Sequence, residues 1–349
     1  MRYATIGLSA VWTAVAVLGG CGADESTEPG IEATATSTSG GAETLTSTSS
    51  GQGTRASTGE AGPASTSGEE TTVAETMGAE TGEVVVGYSP CLAAGFDQGT
   101  DQSAAVGPGA FPQENSEVFS RTIHDHARAF DGTGSAQLGV AEGAQGFGQF
   151  GGILYVGQAC APTGRLEAGS EVWIRGRYFV PSDWEWLEPG HSNKFLRLRT
   201  FTAKGPSAGY DDLYVQPHPG DNLGFRFIYE GVQQWRDIPT PAPFAVDEWT
   251  TIEYYVAFDH VTAADGGQAR VRVWRDGALL ADIDDRATLT EGGYADDFLL
   301  FTYFGNDGAP KDQHLWVDDL VIATDQDPPT AVDAAGNAMV GAEIVAADF

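Results

Sequence analysis

Lys194-Phe195-Leu196-Arg197-Leu198-Arg199 gathers one ammonium and two guanidinium groups on a single short stretch. As a strand it alternates with a period of two, which predicts Phe195, Arg197 and Arg199 on one face and Lys194, Leu196 and Leu198 on the other. A guanidinium presents a planar fork that fits a carboxylate or a sulfate, so the arginine face is expected to floor a groove for an acidic ligand; an ordinary solvated strand face is the alternative. Arg175, Arg177, Lys194, Arg197, Arg199, Lys204, Arg226 and Arg236 fall in the same window. Converging on one concavity, they would suit an acidic polymer. Two further groups could move protons. His218, in Gln216-Pro217-His218, has an unperturbed pKa near neutrality, and period two sets Tyr214, Gln216 and His218 on one face. Tyr303 supplies a phenol.

The elements that must position these residues are strands. From Val84 to about Asp327, aromatic residues recur in short alternating runs punctuated by Gly, Pro and Asp, the pattern of an antiparallel all-β domain. Strands are expected at Phe119 to His124, Ala136 to Val140, Glu171 to Val180, Lys194 to Phe201, Asp212 to Val215, Leu223 to Tyr229, Thr250 to Phe258, Arg270 to Arg275, Phe298 to Phe304 and Gln313 to Ala323. No helix of convincing period is present, and one sandwich over 88–327 is favoured over two small domains. The stretch 328–349 is small and acidic, and is expected to be a disordered tail, with an added edge strand as the alternative.

The ends of the chain suggest an address. Arg2 followed by the apolar run Ala4 to Leu18 has the build of a secretory signal over 1–20, and Leu18-Gly19-Gly20-Cys21 resembles the lipobox of bacterial lipoproteins, which implies lipid on Cys21. Residues 21–87, rich in Ser, Thr and Gly, cannot bury enough apolar surface to offset ordering and are expected to be a disordered tether. The chain is therefore expected in the bacterial envelope, at the outer membrane or cell surface, touching a membrane only through that lipid, as a monomer. Cys91 and Cys160 are then left as a pair in a compartment that permits a disulfide, with two buried thiols as the alternative. A net charge of -31 over 349 residues and a pI near 4.2 exclude nucleic acid as a natural partner.

Trp249-Thr-Thr-Ile-Glu-Tyr-Tyr-Val256, Val271-Arg-Val-Trp-Arg-Asp-Gly277, Thr302-Tyr-Phe-Gly305, Lys311-Asp-Gln313 and Trp316-Val-Asp-Asp-Leu-Val321 resemble successive strands of concanavalin A-like jelly rolls. The resemblance is to the polysaccharide lyase-like branch, which includes alginate and glucuronan lyases, and Glu171 to Val180 and the Lys194 strand resemble its preceding core strands. It implies a sandwich of two antiparallel sheets and, in chain order, an Arg-bearing strand at Arg197 and Arg199, a Gln-x-His strand at Gln216 and His218, and a Tyr-bearing strand at Tyr303.

The implied chemistry is β-elimination on a uronate-containing polysaccharide. Arg197 or Arg199 with Gln216 would neutralise the substrate carboxylate, His218 would take the C5 proton, and Tyr303 would protonate the leaving oxygen or carry both proton transfers. Arg199, Lys194, Arg177, Tyr214 and Arg226 would bind the chain. A non-catalytic carbohydrate-binding or adhesion module is the rival reading. No organic cofactor is expected. Asp318, beside Asp319, is a candidate ligand for a structural Ca²⁺. Asp183-Trp184-Glu185-Trp186-Leu187-Glu188 lies between two prolines and suits a loop better than a glycosidase carboxylate pair; its tryptophans could stack on sugar or anchor the loop.

Overall fold

The computed structural model describes residues 90–103, 105, 122–145, 151–186, 193–218, 222–240, 242–305 and 308–341. The expected signal segment, Cys21 and the tether lie outside them. The chain order is β1 (Leu92–Ala94), β2 (Thr122–Asp125), β3 (Ser135–Val140), β4 (Gly152–Leu154), a single helical turn α1 (Val156–Cys160), β5 (Glu171–Phe179), β6 (Asn193–Phe201), β7 (Ser207–His218), β8 (Asn222–Tyr229), β9 (Gln234–Ile238), β10 (Trp249–Ala257), β11 (Arg270–Arg275), β12 (Ala278–Ile283), β13 (Tyr294–Phe304), β14 (Gln313–Thr324), β15 (Ala331–Val332) and β16 (Ala338–Met339). Each of the ten expected strands has a counterpart, the first as β2, with 119–121 outside the described residues.

The strands form the expected jelly-roll sandwich. One sheet runs β12-β11-β10-β5-β14-β3-β2, with β1 paired to β14 beyond β3; the other runs β4-β13-β6-β7-β8-β9. Alternation explains the layers: Val172, Ile174 and Tyr178 of β5 point inward to meet Leu196, Leu198, Phe225 and Phe227 from the second sheet in one core. Cys91 and Cys160 form a disulfide that ties the start of β1 to α1.

Two local departures from alternation shape the outer face of the six-stranded sheet. The β6–β7 register slips between Lys194 and Leu196, so Phe195 is a bulge residue that turns into the core beside Tyr178 and Phe244, at centroid distances of 4.9 and 5.1 Å. Opposite it, β13 slips between Leu300 and Tyr303, and Phe301, at φ 48°, also turns inward. Gly151 is required here, because a Cβ at its φ of 77° would collide with the Phe301 carbonyl oxygen. The consequence corrects the sequence expectation: Phe195 joins Leu196 and Leu198 in the core, while Lys194 joins Arg197 and Arg199 outside.

The tail is also corrected. Residues 331–341 form a small ribbon, β15 with β16, laid over the outer face of the eight-stranded sheet rather than a disordered end or an added edge strand. Its acceptors and donors meet side chains that would otherwise be orphaned. Trp173 Nε1 donates to the Ala338 carbonyl at 3.0 Å and Trp274 Nε1 to Asp333 Oδ2 at 2.9 Å. Glu253 accepts the N–H groups of Val340 and Gly341 at 2.5 and 3.1 Å, and Met339 and Val340 are buried against Trp173, Tyr255 and Trp274.

Candidate functional site

Cross-strand pairing lines the expected residues up in rows over the outer face of the six-stranded sheet. One row runs Tyr303 on β13, Lys194 on β6, Tyr214 on β7, Arg226 on β8 and Asp237 on β9. The next runs Leu299, Arg197, Asp212, Ile228 and Trp235. A third holds Asp297, Arg199 and Tyr210. The bulge at Phe195 is what lets Lys194 and Arg197 stand in successive rows.

Charge on this face is compensated pair by pair. Arg197 Nε donates to Asp212 Oδ1 at 2.7 Å, and Lys194 Nζ to Glu230 Oε1 at 2.5 Å. Glu230, on the turn after β8, also accepts from the Tyr214 hydroxyl at 3.2 Å and lies 3.9 Å from Arg197. Arg199 meets Asp297 at 3.6 Å, and Arg226 meets Asp237 at 2.5 Å. With its amide oxygen turned toward β8, Gln216 accepts from Arg226 at 3.1 and 3.2 Å. The face expected to floor a groove for an acidic ligand is thus made of ion pairs, because sheet pairing sets an acid opposite or beside each of these bases.

Burial decides which of these pairs a ligand could open. The Arg197–Asp212 pair is all but closed to water, with side-chain exposures of 4% and 0%, and leaving either member alone would cost about 3–5 kcal/mol. Arg226–Asp237, at 30% and 50%, is a surface pair whose rupture costs about 0–1 kcal/mol. The deepest guanidinium is thus the least available one. The local fields agree. Burial pushes the Asp212 carboxyl up to about 6, although Arg197 opposes it. At Glu230, burial works upward, but Lys194 and then Arg197 prevail and hold it below the usual carboxylate range. Burial, reinforced by the charges of Asp212 and Glu230, raises the Tyr214 phenol far above its ordinary value, so Tyr214 is a hydrogen-bond donor and not a base.

Tyr303 differs from Tyr214 in its company. It is half-buried, with Lys194 Nζ 4.8 Å and Arg197 Cζ 6.0 Å from its ring centroid. His218 is not brought to this cluster. It ends β7 opposite Asn222, four residues beyond Tyr214, which at about 3.3 Å per residue is about 13 Å along the strand. Pro217 lies within the β7–β8 pairing, opposite Leu223, close to where β7 ends.

Three further expectations resolve elsewhere. Arg177 lies on the outer face of the eight-stranded sheet, bound to Asp319 at 2.7 Å, with Arg175 bound to the same carboxylate oxygen at 3.1 Å. Asp318 accepts from the N–H groups of Phe130, Asp131 and Asp319 at 2.7, 3.4 and 2.7 Å, and so anchors the β2–β3 loop. Among the described residues, no group of three or more His, Cys, Asp and Glu side chains is placed to hold a metal ion. Trp184 is buried against Phe301 and Phe304, a loop anchor, and Trp186 stacks on Phe244 at 5.6 Å.

The residue that sequence reasoning missed is Trp235. It is 42% exposed at the end of the second row, 5.7 Å from the Tyr214 ring, with Arg226 Cζ 5.2 Å from its centroid. Asp212 and Glu230 were missed as well; a signal existed in Asp211-Asp212 lying one strand after Arg197-x-Arg199.

The chain is similar to alginate and glucuronan lyases of known structure. An endo-β-1,4-glucuronan lyase from the fungus Trichoderma reesei matches at a TM-score of 0.45 and 13% identity, over 67% of this chain and 95% of that one. An alginate lyase from Aplysia kurodai matches at 0.45 and 11%, over 68% and 99%. Domain 4 of AbnA, an extracellular arabinanase from Geobacillus stearothermophilus solved with arabinotriose, matches at 0.37 and 17%, over 67% and 92%. No protein-family model and no curated protein sequence matches the chain.

Proposed function

We propose that the outer face of the six-stranded sheet binds a polysaccharide chain. The observation that carries this is Trp235: an exposed indole beside Tyr214 and Arg226, at the edge of a face of charged hydrogen-bonding pairs with matched signs. An indole offers an apolar surface to the C–H face of a sugar, and the flanking acids and bases can accept from and donate to hydroxyls. Such a face favours a ligand that is rich in hydroxyls over a bare polyanion. Carboxylates on the chain would be met by Arg226, whose surface pair with Asp237 is the cheap one to open. Tethering through lipid on Cys21, at the cell envelope, is part of the same proposal and is supported by the Leu18-Gly19-Gly20-Cys21 motif.

One observation favours a second reading, in which the face also cleaves a uronate chain by β-elimination. Tyr303 stands beside both Lys194 and Arg197. In this reading Lys194 neutralises the substrate carboxylate, Tyr303 takes the C5 proton, the C4–O bond breaks as the C4–C5 double bond forms, and the proton passes from Tyr303 to the leaving oxygen. Here Lys194 takes the place of Arg197, and Tyr303 carries both proton transfers, the alternative to His218.

One experiment separates the readings. The protein is incubated with alginate, glucuronan, pectate and a neutral β-glucan while ultraviolet absorbance of unsaturated uronate is followed, and retention on the same glycans is measured by affinity electrophoresis. Retention that is lost in Trp235→Ala, with no new absorbance, supports binding alone. Absorbance that grows and is lost in Tyr303→Phe supports cleavage. Neither retention nor absorbance on any glycan overturns both.

A further inference from the structure

The outer face of the eight-stranded sheet holds an aromatic row of its own. Trp316 on β14 pairs with Phe179 on β5, which pairs with Trp249 on β10, so three rings lie side by side and the outer two are two strands, or about 9.6 Å, apart. Phe179 meets Trp249 and Trp316 edge to face at 5.6 and 5.8 Å. The β2–β3 loop touches all three rings of the row. Arg128 from that loop rests on Phe179 and Trp316, its Cζ 3.6 and 4.5 Å from their centroids, and Phe130, 39% exposed, meets Trp249 at 6.0 Å. Asp125 fixes the Trp316 indole by accepting from its Nε1 at 2.7 Å, and the Phe130 N–H donates to Asp318 at 2.7 Å to fix the loop.

Arg128 is unlike the guanidiniums of the first face. Among the described residues no carboxylate lies within ion-pair distance of it, and its buried Nε has no hydrogen-bond partner. Asp247 on the rim, held low by Ser182, feels the Arg128 charge only as its weakest influence. A guanidinium clamped flat on two rings is pre-oriented, and the terminal amines are what it has left to offer a ligand. β14, β5 and β10 are interior strands paired on both edges, so no free main-chain edge is there to take up a peptide strand. Recognition has to come through the face: a ring against Trp249 and Phe130, and a carboxylate one strand away at Arg128.

We propose that this face is a second saccharide site, specific for an acidic sugar, in which Arg128 holds the carboxylate and Trp249 with Phe130 supports the ring. It stands independently of the first face. Because the two sites lie on opposite sides of one sandwich, the protein could hold two glycan strands at once.

The test uses the full chain carrying Trp235→Ala, which silences the first face, titrated calorimetrically with a hexuronate tetrasaccharide, its carboxyl-reduced neutral counterpart and an acidic peptide of equal charge. The uronate is expected to bind, and added Arg128→Ala to weaken it about tenfold or more while leaving the neutral counterpart unchanged. Phe130→Ala, an exposed loop change, is expected to weaken both saccharides, and Arg128→Lys to keep part of the uronate binding with a steeper salt dependence. Thermal midpoints check that each variant is folded; if Arg128→Ala is not, Phe130→Ala and Arg128→Lys decide. No uronate binding in the Trp235→Ala chain, unchanged affinity in the folded Arg128 and Phe130 variants, or equal binding of the acidic peptide would overturn the proposal.

Discussion

Lys194 and Tyr303 face each other across the β6–β13 pair, with Nζ 4.8 Å from the ring centroid, because opposed bulges turn Phe195 and Phe301 into the core. The two neighbours Lys194 and Phe195 should therefore respond very differently to truncation. Phe195→Ala opens a cavity between Tyr178 and Phe244 and is expected to cost about 3–5 kcal/mol in denaturant unfolding. Lys194→Ala removes a partner of Glu230 that keeps some water contact, while Arg197 stays 3.9 Å from that carboxylate, and should cost clearly less. Strict alternation would predict the reverse burial, so a small cost at Phe195 would count against the bulge.

Glu230 caps the cationic row, and taking away its charge should change ligand preference. Glu230→Gln leaves Lys194 without its nearest acid while Asp212 still holds Arg197. Retention of carboxylated glycans at low salt is expected to rise severalfold, with that of neutral glycans unchanged, and the gain should fade as salt is added. A loss of acidic-glycan retention would mean that Glu230 itself receives the ligand.

Stability should fall as pH rises from about 4 to about 7. Burial pushes Asp212 up to about 6, and Glu253 and Asp318 up to about 7. For a carboxyl raised on folding, the native state holds more protons than the unfolded one across that window, so unfolding becomes easier with each step up in pH. Urea midpoints measured between pH 4 and 7.5 should decrease, and Glu253→Gln should flatten the slope. A rising midpoint would contradict these environments.

Ending the chain at Thr330 should expose Trp173, Tyr255 and Trp274 and orphan two indole donors and the Glu253 carboxylate. The expected result is a lower thermal midpoint, a red-shifted tryptophan emission and a tendency to self-associate. A truncated chain with the emission and midpoint of the full one would show that the ribbon is dispensable.

Much of the sandwich was legible because period-two runs such as Glu171 to Val180 and Thr250 to Phe258 carry their burial in their residue types. The bulges were not, since nothing in Lys-Phe-Leu or Phe-Thr-Tyr announces an extra residue; only the partner strand does. For the same reason the arginines looked free. Asp212 lies on another strand and Glu230 on a later turn, so the pairing is a property of register and not of either stretch. The tail misled through its small side chains, because its burial comes from main-chain groups meeting Trp173, Trp274 and Glu253. Trp235 escaped notice on a five-residue edge strand, β9, that is largely exposed and lacks an apolar face.

The central claim, that a glycan lies along the face bearing Trp235 and Tyr214, is tested most directly by following tryptophan indole N–H resonances while an oligosaccharide retained by the protein is titrated in. The Trp235 signal should shift saturably, and the shift should vanish in Tyr214→Ala at unchanged global fold. A saturating titration that leaves Trp235 in place while other indoles move would put the ligand elsewhere and contradict the account.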